Sequence, residues 1–389
     1  MTLTDSLVEP PDVAALSVAK DGNTFAFDLY ARLRSQESGN LFFSPQSIST
    51  ALAMTYAGAR GETATQMART LRFSLPQDRL SSAYGKLLKA LHLTEADRDY
   101  QLSVANRLWG QHGESFCRDF SALIHRDYGA ELGQVDFRQN AESARDEINA
   151  WVLKQTGDKI RDLLPAGLIN SLTRLVLVNA IYFRGDWAQQ FEKKWTTDRP
   201  FHVTPNHAVT VPMIFTQADI GFAAYTDAGV KVVELPYKGE DLSMLGLLPD
   251  AIDGLDRLES MLTAENVGRW TAGLRSCRNV SVYLPRFSVE SSVELTHTVS
   301  AMGMPLAFSH DADFSGMNRK RNLWISAMAH QARVDVDEEG TQAAAATAVV
   351  MTLGGPRPVF RADHPFVFII RHNPTGAILF LGRVLNPKA

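Results

Sequence analysis

Residues 338–355 read EEGTQAAAATAVVMTLGG, and no charged residue occurs between Glu339 and Arg357. Alanine flanked by glutamate favours helix. The later part, Thr347 to Leu353, is β-branched and favours strand. Period two puts Thr341, Ala343, Ala345, Thr347, Val349 and Met351 on one face, and Gln342, Ala344, Ala346, Ala348 and Val350 on the other. The first set grows from small to large along the chain. Such a segment is polar enough to stay in water as a loop, yet carries no charge or proline that would bar it from a sheet interior. Gly340 supplies a hinge, and Pro356 and Pro358 limit travel at the far end. Taken alone, the run fits an alanine-rich surface helix or a tether as well as it fits a strand that exists in two states.

Working outward, the first half of the chain is mainly helical and the second mainly strand. Phe25, Leu29 and Leu33 have helical spacing. Asn40 to Pro45 reads as a short strand ending at Ser-Pro, followed by a buried helix from Ser47 to Gly58. Helices are expected over Thr63–Leu71 and Asp78–Leu93, and a longer one over Ala141–Leu164, broken at Gly157. Arg174 to Phe183 is almost continuously apolar, as in a strand buried on both faces. Strands follow at Leu102–Leu108, Val209–Phe215, Val230–Tyr237, Ser243–Pro249 and Val280–Val289, with helices near Leu255–Leu262 and Val293–Met302. A closing hairpin turns at Asn373-Pro374-Thr375-Gly376. The pattern predicts an α+β fold around a large sheet: a flexible arm over residues 1–20, where Pro10-Pro11 blocks helix, then a single domain over 21–389.

The 389 residues are 45% hydrophobic and 21% charged, with a net charge of −4, an ordinary globular composition. No basic field recruits nucleic acid or an anionic membrane, and Arg319-Lys320-Arg321 reads as a solvated turn. No apolar run is long enough to span a bilayer. Cys117 and Cys277 form no metal or redox motif and are expected as buried free thiols. No signal peptide is visible, and Asn279 opens a sequon that matters only in a secreted chain. Arg outnumbers Lys and Ala is abundant, which fits a GC-rich, prokaryotic gene. No nucleophile elbow, HExxH or phosphate loop is present. Ser44 and His330 lack an identifiable acidic partner, so hydrolysis is not expected. No catalytic residue, metal site or cofactor is assigned.

With these residues in view, the chain resembles the serpin family. Glu338-Glu339-Gly340-Thr341 followed by small residues is similar to the hinge of its inhibitory members. Asn40-Leu-Phe-Phe-Ser-Pro-Gln-Ser-Ile-Ser49, Gly58-Ala-Arg-Gly-Glu-Thr63, Leu177-Val-Asn-Ala-Ile-Tyr-Phe-Arg-Gly-Asp-Trp187, Val233-Glu-Leu-Pro-Tyr237, Leu284-Pro-Arg-Phe287, Ala312-Asp-Phe-Ser-Gly-Met317, Asp363-His-Pro-Phe-Val-Phe368 and Phe380-Leu-Gly-Arg-Val384 match in order, so the resemblance covers residues 20–388. It implies about nine helices on three β-sheets and an exposed reactive loop at about 338–358. It also implies a monomeric suicide inhibitor that holds a serine protease in a covalent 1:1 complex while the loop enters the main sheet. Ser44, Ser47, Asn179 and His330 would form a polar shutter under that sheet, and Trp187 would lie in the breach where insertion begins. Glu338, Glu339, Gly340, Thr341, Ala343, Ala345 and Thr347 would be the hinge. Family loop length puts the cut at Gly354-Gly355, whereas burial of a side chain in a primary pocket favours Leu353-Gly354. A chymotrypsin-, elastase- or subtilisin-like target is expected. The alternative is a non-inhibitory relative acting as carrier or chaperone, whose hinge would usually hold bulky, charged or proline residues.

Overall fold

The structure is a computed structural model, and it describes residues 11–91, 100–338 and 357–389. Ten α-helices are present among them: α1 Val13–Gln36, α2 Pro45–Gly58, α3 Gly61–Thr70, α4 Gln77–Leu91, α5 Arg118–Tyr128, α6 Ala141–Gln155, α7 Leu255–Ser260, α8 Ala264–Ala272, α9 Thr296–Ala301 and α10 Ser315–Asn318. Fourteen strands accompany them: β1 Leu41–Phe43, β2 Tyr100–Gln111, β3 Gly133–Val135, β4 Leu175–Gly185, β5 Thr197–Thr204, β6 His207–Tyr225, β7 Val230–Pro236, β8 Leu242–Pro249, β9 Arg275–Pro285, β10 Phe287–Glu294, β11 Ile325–Val336, β12 Val359–Arg361, β13 Phe366–His372 and β14 Ile378–Val384.

The strands form two hydrogen-bonded sheets. A five-stranded sheet runs β10-β11-β4-β2-β3, and a nine-stranded one runs β1-β14-β13-β8-β7-β6-β9-β12 with β5 on β6. Three sheets were expected, and two result because the 19-residue β6 is long enough to join two regions. His207 to Met213 pairs with β5, Met213 to Phe222 with β9, and Gly221 to Tyr225 with β7. The chain passes between the sheets at Pro285-Arg286. β9 belongs to one sheet and β10 to the other, so the apolar run Val280–Val289 is two strands and not one.

Local chemistry explains the other boundaries. Asp12 caps α1 by accepting from the Ala14 N–H at 2.9 Å, and Ala15, Val18 and Ala19 are buried. The expected arm over residues 1–20 therefore ends before Val13, because an N-cap aspartate starts a helix directly after the prolines. The helix expected to reach Leu164 ends at Gln155. Gly157 takes a left-handed φ of 58°, and Asn149 then holds the returning chain by bonds to both backbone groups of Leu164. Cys117 and Cys277 are free, as expected, but half-buried.

The five-stranded sheet is covered on both faces. Ala105, Ala180, Ala327 and Ala329 let α6 approach one face through Ala144, Ile148 and Val152. Leu175, Leu177, Ile181 and Phe183 turn to the main core, which also holds α1, α2 and the central strands of the larger sheet. Helix α2 threads this core with almost every residue buried. Ser44 caps it, and Pro45 occupies the first turn, where a missing N–H costs nothing.

Gly58, at the end of α2, marks a very tight approach: a Cβ there would lie 2.2 Å from Met317 Cγ and 3.3 Å from Phe120 Cε2. Gly58→Ala should destabilise the fold by about 1–3 kcal/mol through overpacking. In a Met317→Ala background the same change should cost at least about 1 kcal/mol less, as measured by denaturant unfolding. Equal costs in the two backgrounds would mean that this contact does not set the requirement for glycine.

Candidate functional site

At the centre of the five-stranded sheet two strands run parallel, β4 beside β11. The other pairings on this sheet are antiparallel except the short β2–β3 contact at its edge. Asn179 of β4 stands opposite His330 of β11 and opposite Asn106 of β2. Residues directly opposite share a face, so the three side chains form a polar row toward the start of α2.

There they meet Ser44 and Ser47. His330 Nε2 accepts from the Ser44 backbone N–H at 3.1 Å, so the proton sits on Nδ1, which donates to Asn179 Oδ1 at 2.5 Å. Asn179 Nδ2 donates to Ser47 Oγ. Ser44 Oγ accepts from the Ser47 N–H at 3.2 Å and donates to the Leu379 carbonyl of β14 at 2.7 Å. Asn106 Nδ2 donates to the Ser47 carbonyl at 3.2 Å, and its Oδ1 has no partner among the described residues. The four residues expected as one cluster are thus one hydrogen-bonded network. It crosses three strands, a helix start and the C-terminal hairpin.

The same geometry speaks against hydrolysis. His330 is fully buried and accepts from the Ser44 backbone, while the Ser44 hydroxyl points its proton at a carbonyl. Imidazole and hydroxyl are therefore not aligned as base and nucleophile. Burial pushes the His330 pKa down to about 3, so the ring is neutral at ordinary pH.

A second cluster closes the end of the seam. Trp187 follows β4, stacks on Tyr237 at 4.6 Å and 11°, and meets Phe191 edge-on at 5.8 Å. Its indole Nε1 donates to the Asp337 carbonyl at 3.0 Å, where the chain leaves β11. Next in the chain, the buried carboxylate of Glu338 is gripped by Arg286 through contacts of 2.5–3.1 Å. It also accepts from the Thr196 hydroxyl at 2.6 Å. Burial works against its ionisation, but the bonds from Arg286 and Thr196 outweigh that and hold the carboxyl below its ordinary range. Asp335, two residues before Asp337, accepts from Tyr182 of β4 at 3.2 Å and from Ser288 of β10 at 2.6 Å.

The remaining residues expected in the hinge and at the reactive bond, Glu339, Gly340, Thr341, Ala343, Ala345, Thr347, Leu353, Gly354 and Gly355, lie outside the described residues. Sequence reasoning missed Asn106 and Arg286. Each had a signal: an asparagine midway along an apolar strand, and an arginine inside a run read as one continuous strand. Among the described residues no helix is long and apolar enough to cross a membrane, and no cluster of His, Cys, Asp or Glu could hold a metal ion.

Residues 20–387 match the family described as Serpin (serine protease inhibitor). The leukocyte elastase inhibitor of the horse is 44% identical over 372 residues, covering 93% of this chain and 97% of the relative. The human leukocyte elastase inhibitor is 42% identical over 372 residues, with the same coverage. Among solved structures, uncleaved ovalbumin superposes with a TM-score of 0.87 at 33% identity, covering 95% of this chain and 100% of the other. A highly specific serpin of the insect Tenebrio molitor gives 0.84 at 31% identity, covering 95% and 98%. These relatives are animal proteins, so the composition-based expectation of a prokaryotic gene finds no support in them.

The buried histidine predicts a pH dependence. His330 titrates at about 3 in the fold and near 6.5 in an unfolded chain. Between those values the unfolded state binds the extra proton. The stabilisation is therefore complete above about pH 6.5 and is lost as pH falls toward 3, at up to about 1.4 kcal/mol per pH unit. His372, pushed down to about 4 by burial, has the same sign. The Glu338 contribution is lost only at lower pH, and the Asp21 carboxyl, raised by burial, acts with the opposite sign, so the difference between wild type and His330→Gln isolates His330. In urea unfolding between about pH 6 and 4.5, His330→Gln should remove about half of the histidine contribution to the slope. An unchanged slope would show that His330 is not buried neutral.

Proposed function

The chain belongs to the serpin family, and on that premise we propose that it inhibits serine proteases as a single-use trap, sprung by cleavage of the loop at 338–358. The supporting observation is the central parallel pair. Parallel ladders are slightly the weaker kind. A chain that leaves β11 and doubles back is antiparallel to β11, and therefore also antiparallel to β4. It can take good ladder bonds from both neighbours if they part.

The protease serine attacks the carbonyl of Leu353 or Gly354, forming an acyl-enzyme and freeing the amine of the next residue. The fragment beyond the cut stays in place through β12, β13 and β14. The loop segment before it is then held only at its β11 end, and inserting about 15 residues at about 3.3 Å each carries the bound enzyme roughly 50 Å. At a net ~1 kcal/mol per ladder bond the gain is on the order of ten kcal/mol, enough to distort the enzyme before water completes hydrolysis.

The polar row supports this role. Parting β4 from β11 breaks the His330–Asn179 bond, but His330 keeps Ser44 and Asn179 keeps Ser47. The retained partners lower the cost of exposing buried polar groups. In this reading Ser44, Ser47, Asn179 and His330 are the shutter. Trp187 guards the breach with Asp337, and the Glu338–Arg286 grip anchors the root of a hinge formed by Glu339, Gly340, Thr341, Ala343, Ala345 and Thr347. The protein acts as a monomer and forms a covalent 1:1 complex. Val350, Met351 and Leu353 suit the apolar primary pocket of an elastase-, chymotrypsin- or subtilisin-like enzyme, and the relatives named for leukocyte elastase agree with that class. Leu353-Gly354 is favoured over Gly354-Gly355 on the same ground.

Mixing with chymotrypsin, pancreatic elastase or subtilisin should give a denaturant-resistant band near the summed masses. Thr341→Arg, which puts a charge on the inward face, should abolish that band and leave cleaved inhibitor. Cleavage should raise the melting temperature of the wild type but not of the variant. Clean cutting of the wild type without a complex would favour a carrier or chaperone, and an unchanged melting temperature after cutting would exclude insertion. The mass of the released C-terminal fragment fixes the scissile bond.

A further inference from the structure

Where β6, β9 and β12 lie side by side, one face of the sheet is sealed and the other is open. Ile214, Thr216, Val282, Leu284 and Phe360 are buried on the inner side. On the outer side Trp195, Phe215 and Tyr283 are half-exposed. They touch in a row: Trp195 to Phe215 edge-on at 5.9 Å, and Phe215 to Tyr283 at 4.6 Å. Cations ride on the two ends of the row. Lys194 lies 5.0 Å from the Trp195 ring, and Arg199 and Arg361 lie 4.9 Å and 4.6 Å from that of Tyr283.

The cations differ in what else they do. Lys194 is paired with Glu192. Arg199 uses its Nε on the Thr197 hydroxyl at 3.0 Å, and among the described residues neither Arg199 nor Arg361 has a carboxylate within ion-pair distance. The field of Arg361 reaches Asp363, but that carboxylate is bonded to His364 at 2.9 Å. Asp198 alternates to the opposite side of β5 from Arg199. A guanidinium stacked on a ring keeps its edge donors free for a carboxylate. Scattered exposed aromatics need no explanation. A contiguous row topped by two arginines that lack a carboxylate within ion-pair distance among the described residues has the composition of a docking centre.

Its position names the occupant. Residues 357 and 358 lead directly into β12, and the Pro358 carbonyl accepts from the Ser281 N–H at 2.9 Å, two residues from Tyr283. From Leu353 to Pro358 the chain spans at most about 17 Å. A protease of ordinary size, with a radius of gyration near 17 Å, has this face within its reach when it grips that bond. We infer that the Trp195–Phe215–Tyr283 row, with Arg199 and Arg361, is a second docking surface for the target protease, which selects enzymes carrying carboxylates on the rim of the active-site cleft. This rests on the inhibitor reading and deepens it: the loop presents the bond, and the arginines set how fast the right enzyme arrives.

The test measures association with chymotrypsin, pancreatic elastase and subtilisin whose catalytic serine is replaced by alanine, so that docking is seen without trapping. For at least one of them, R199E/R361E should lower the association rate about tenfold at ~20 mM salt, and the deficit should shrink to within about twofold at ~500 mM. R32E/K89E, which makes the same change in net charge at exposed sites on α1 and α4, should leave the rate unchanged. Equal behaviour of the two variants with all three enzymes, a deficit that survives high salt, or no docking at all would overturn the proposal. The active enzymes separate the two readings: R199E/R361E should still form the covalent band on longer incubation, because its loop is intact. A missing band in the wild type, with docking preserved, would count against trapping alone.

Discussion

One weak seam organises the molecule. β4 and β11 lie in the middle of the five-stranded sheet and run parallel, joined across the polar row by the bond from His330 to Asn179. A central pair in a covered sheet would ordinarily be sealed by apolar side chains on both faces. Here one face is alanine and valine under α6, and the other carries imidazole, amide and hydroxyl groups, each with more than one acceptable partner. The two halves are joined by the β4–β11 ladder and by side chains that each have a second partner on their own side of the seam. The proposed trap requires such a seam, one that stays shut until the loop is cut.

Much of this was legible in the chain. The apolar run from Arg174 announced a doubly buried strand because burial on both faces leaves no polar period, and β4 occupies that place. The Ser-Pro at 44–45 reads as the end of a strand with a helix from Ser47, whereas α2 begins two residues earlier at Pro45, because a capping hydroxyl followed by proline satisfies the first turn. Ser44, Ser47, Asn179 and His330 could be grouped only through the family resemblance. They come from three distant stretches, and no local pattern says that Asn179 and His330 fall at the same level of adjacent strands. β11 itself was not apparent, because ISAMAHQARVDV mixes alanine with polar residues and lacks the β-branched content that usually marks a strand. Its identity as a strand comes from its neighbours, not from its own propensity.

The failures of boundary placement share a cause. A run of residues shows what it prefers locally, whereas the ends of elements depend on partners far away. α6 stops where Asn149 can catch the backbone of Leu164. The apolar run at 280–289 divides at Arg286, whose N–H is held by the Pro212 carbonyl and whose side chain is committed to Glu338. Even the number of sheets follows from one long strand, β6, being able to serve two sets of neighbours.

The Ser44 hydroxyl donates to the carbonyl of Leu379, and among the described strands β1 pairs only with β14, Leu41 facing Arg383. Asn40 likewise accepts from the N–H groups of Leu385 and Asn386 at 2.7 and 3.0 Å. The earliest strand of the chain therefore waits for the last one. On a ribosome, the parts that keep the seam closed cannot lock until β14 has emerged. Closure of the seam thus waits for β14, and a product interrupted before it lacks the partner that Ser44 and β1 require.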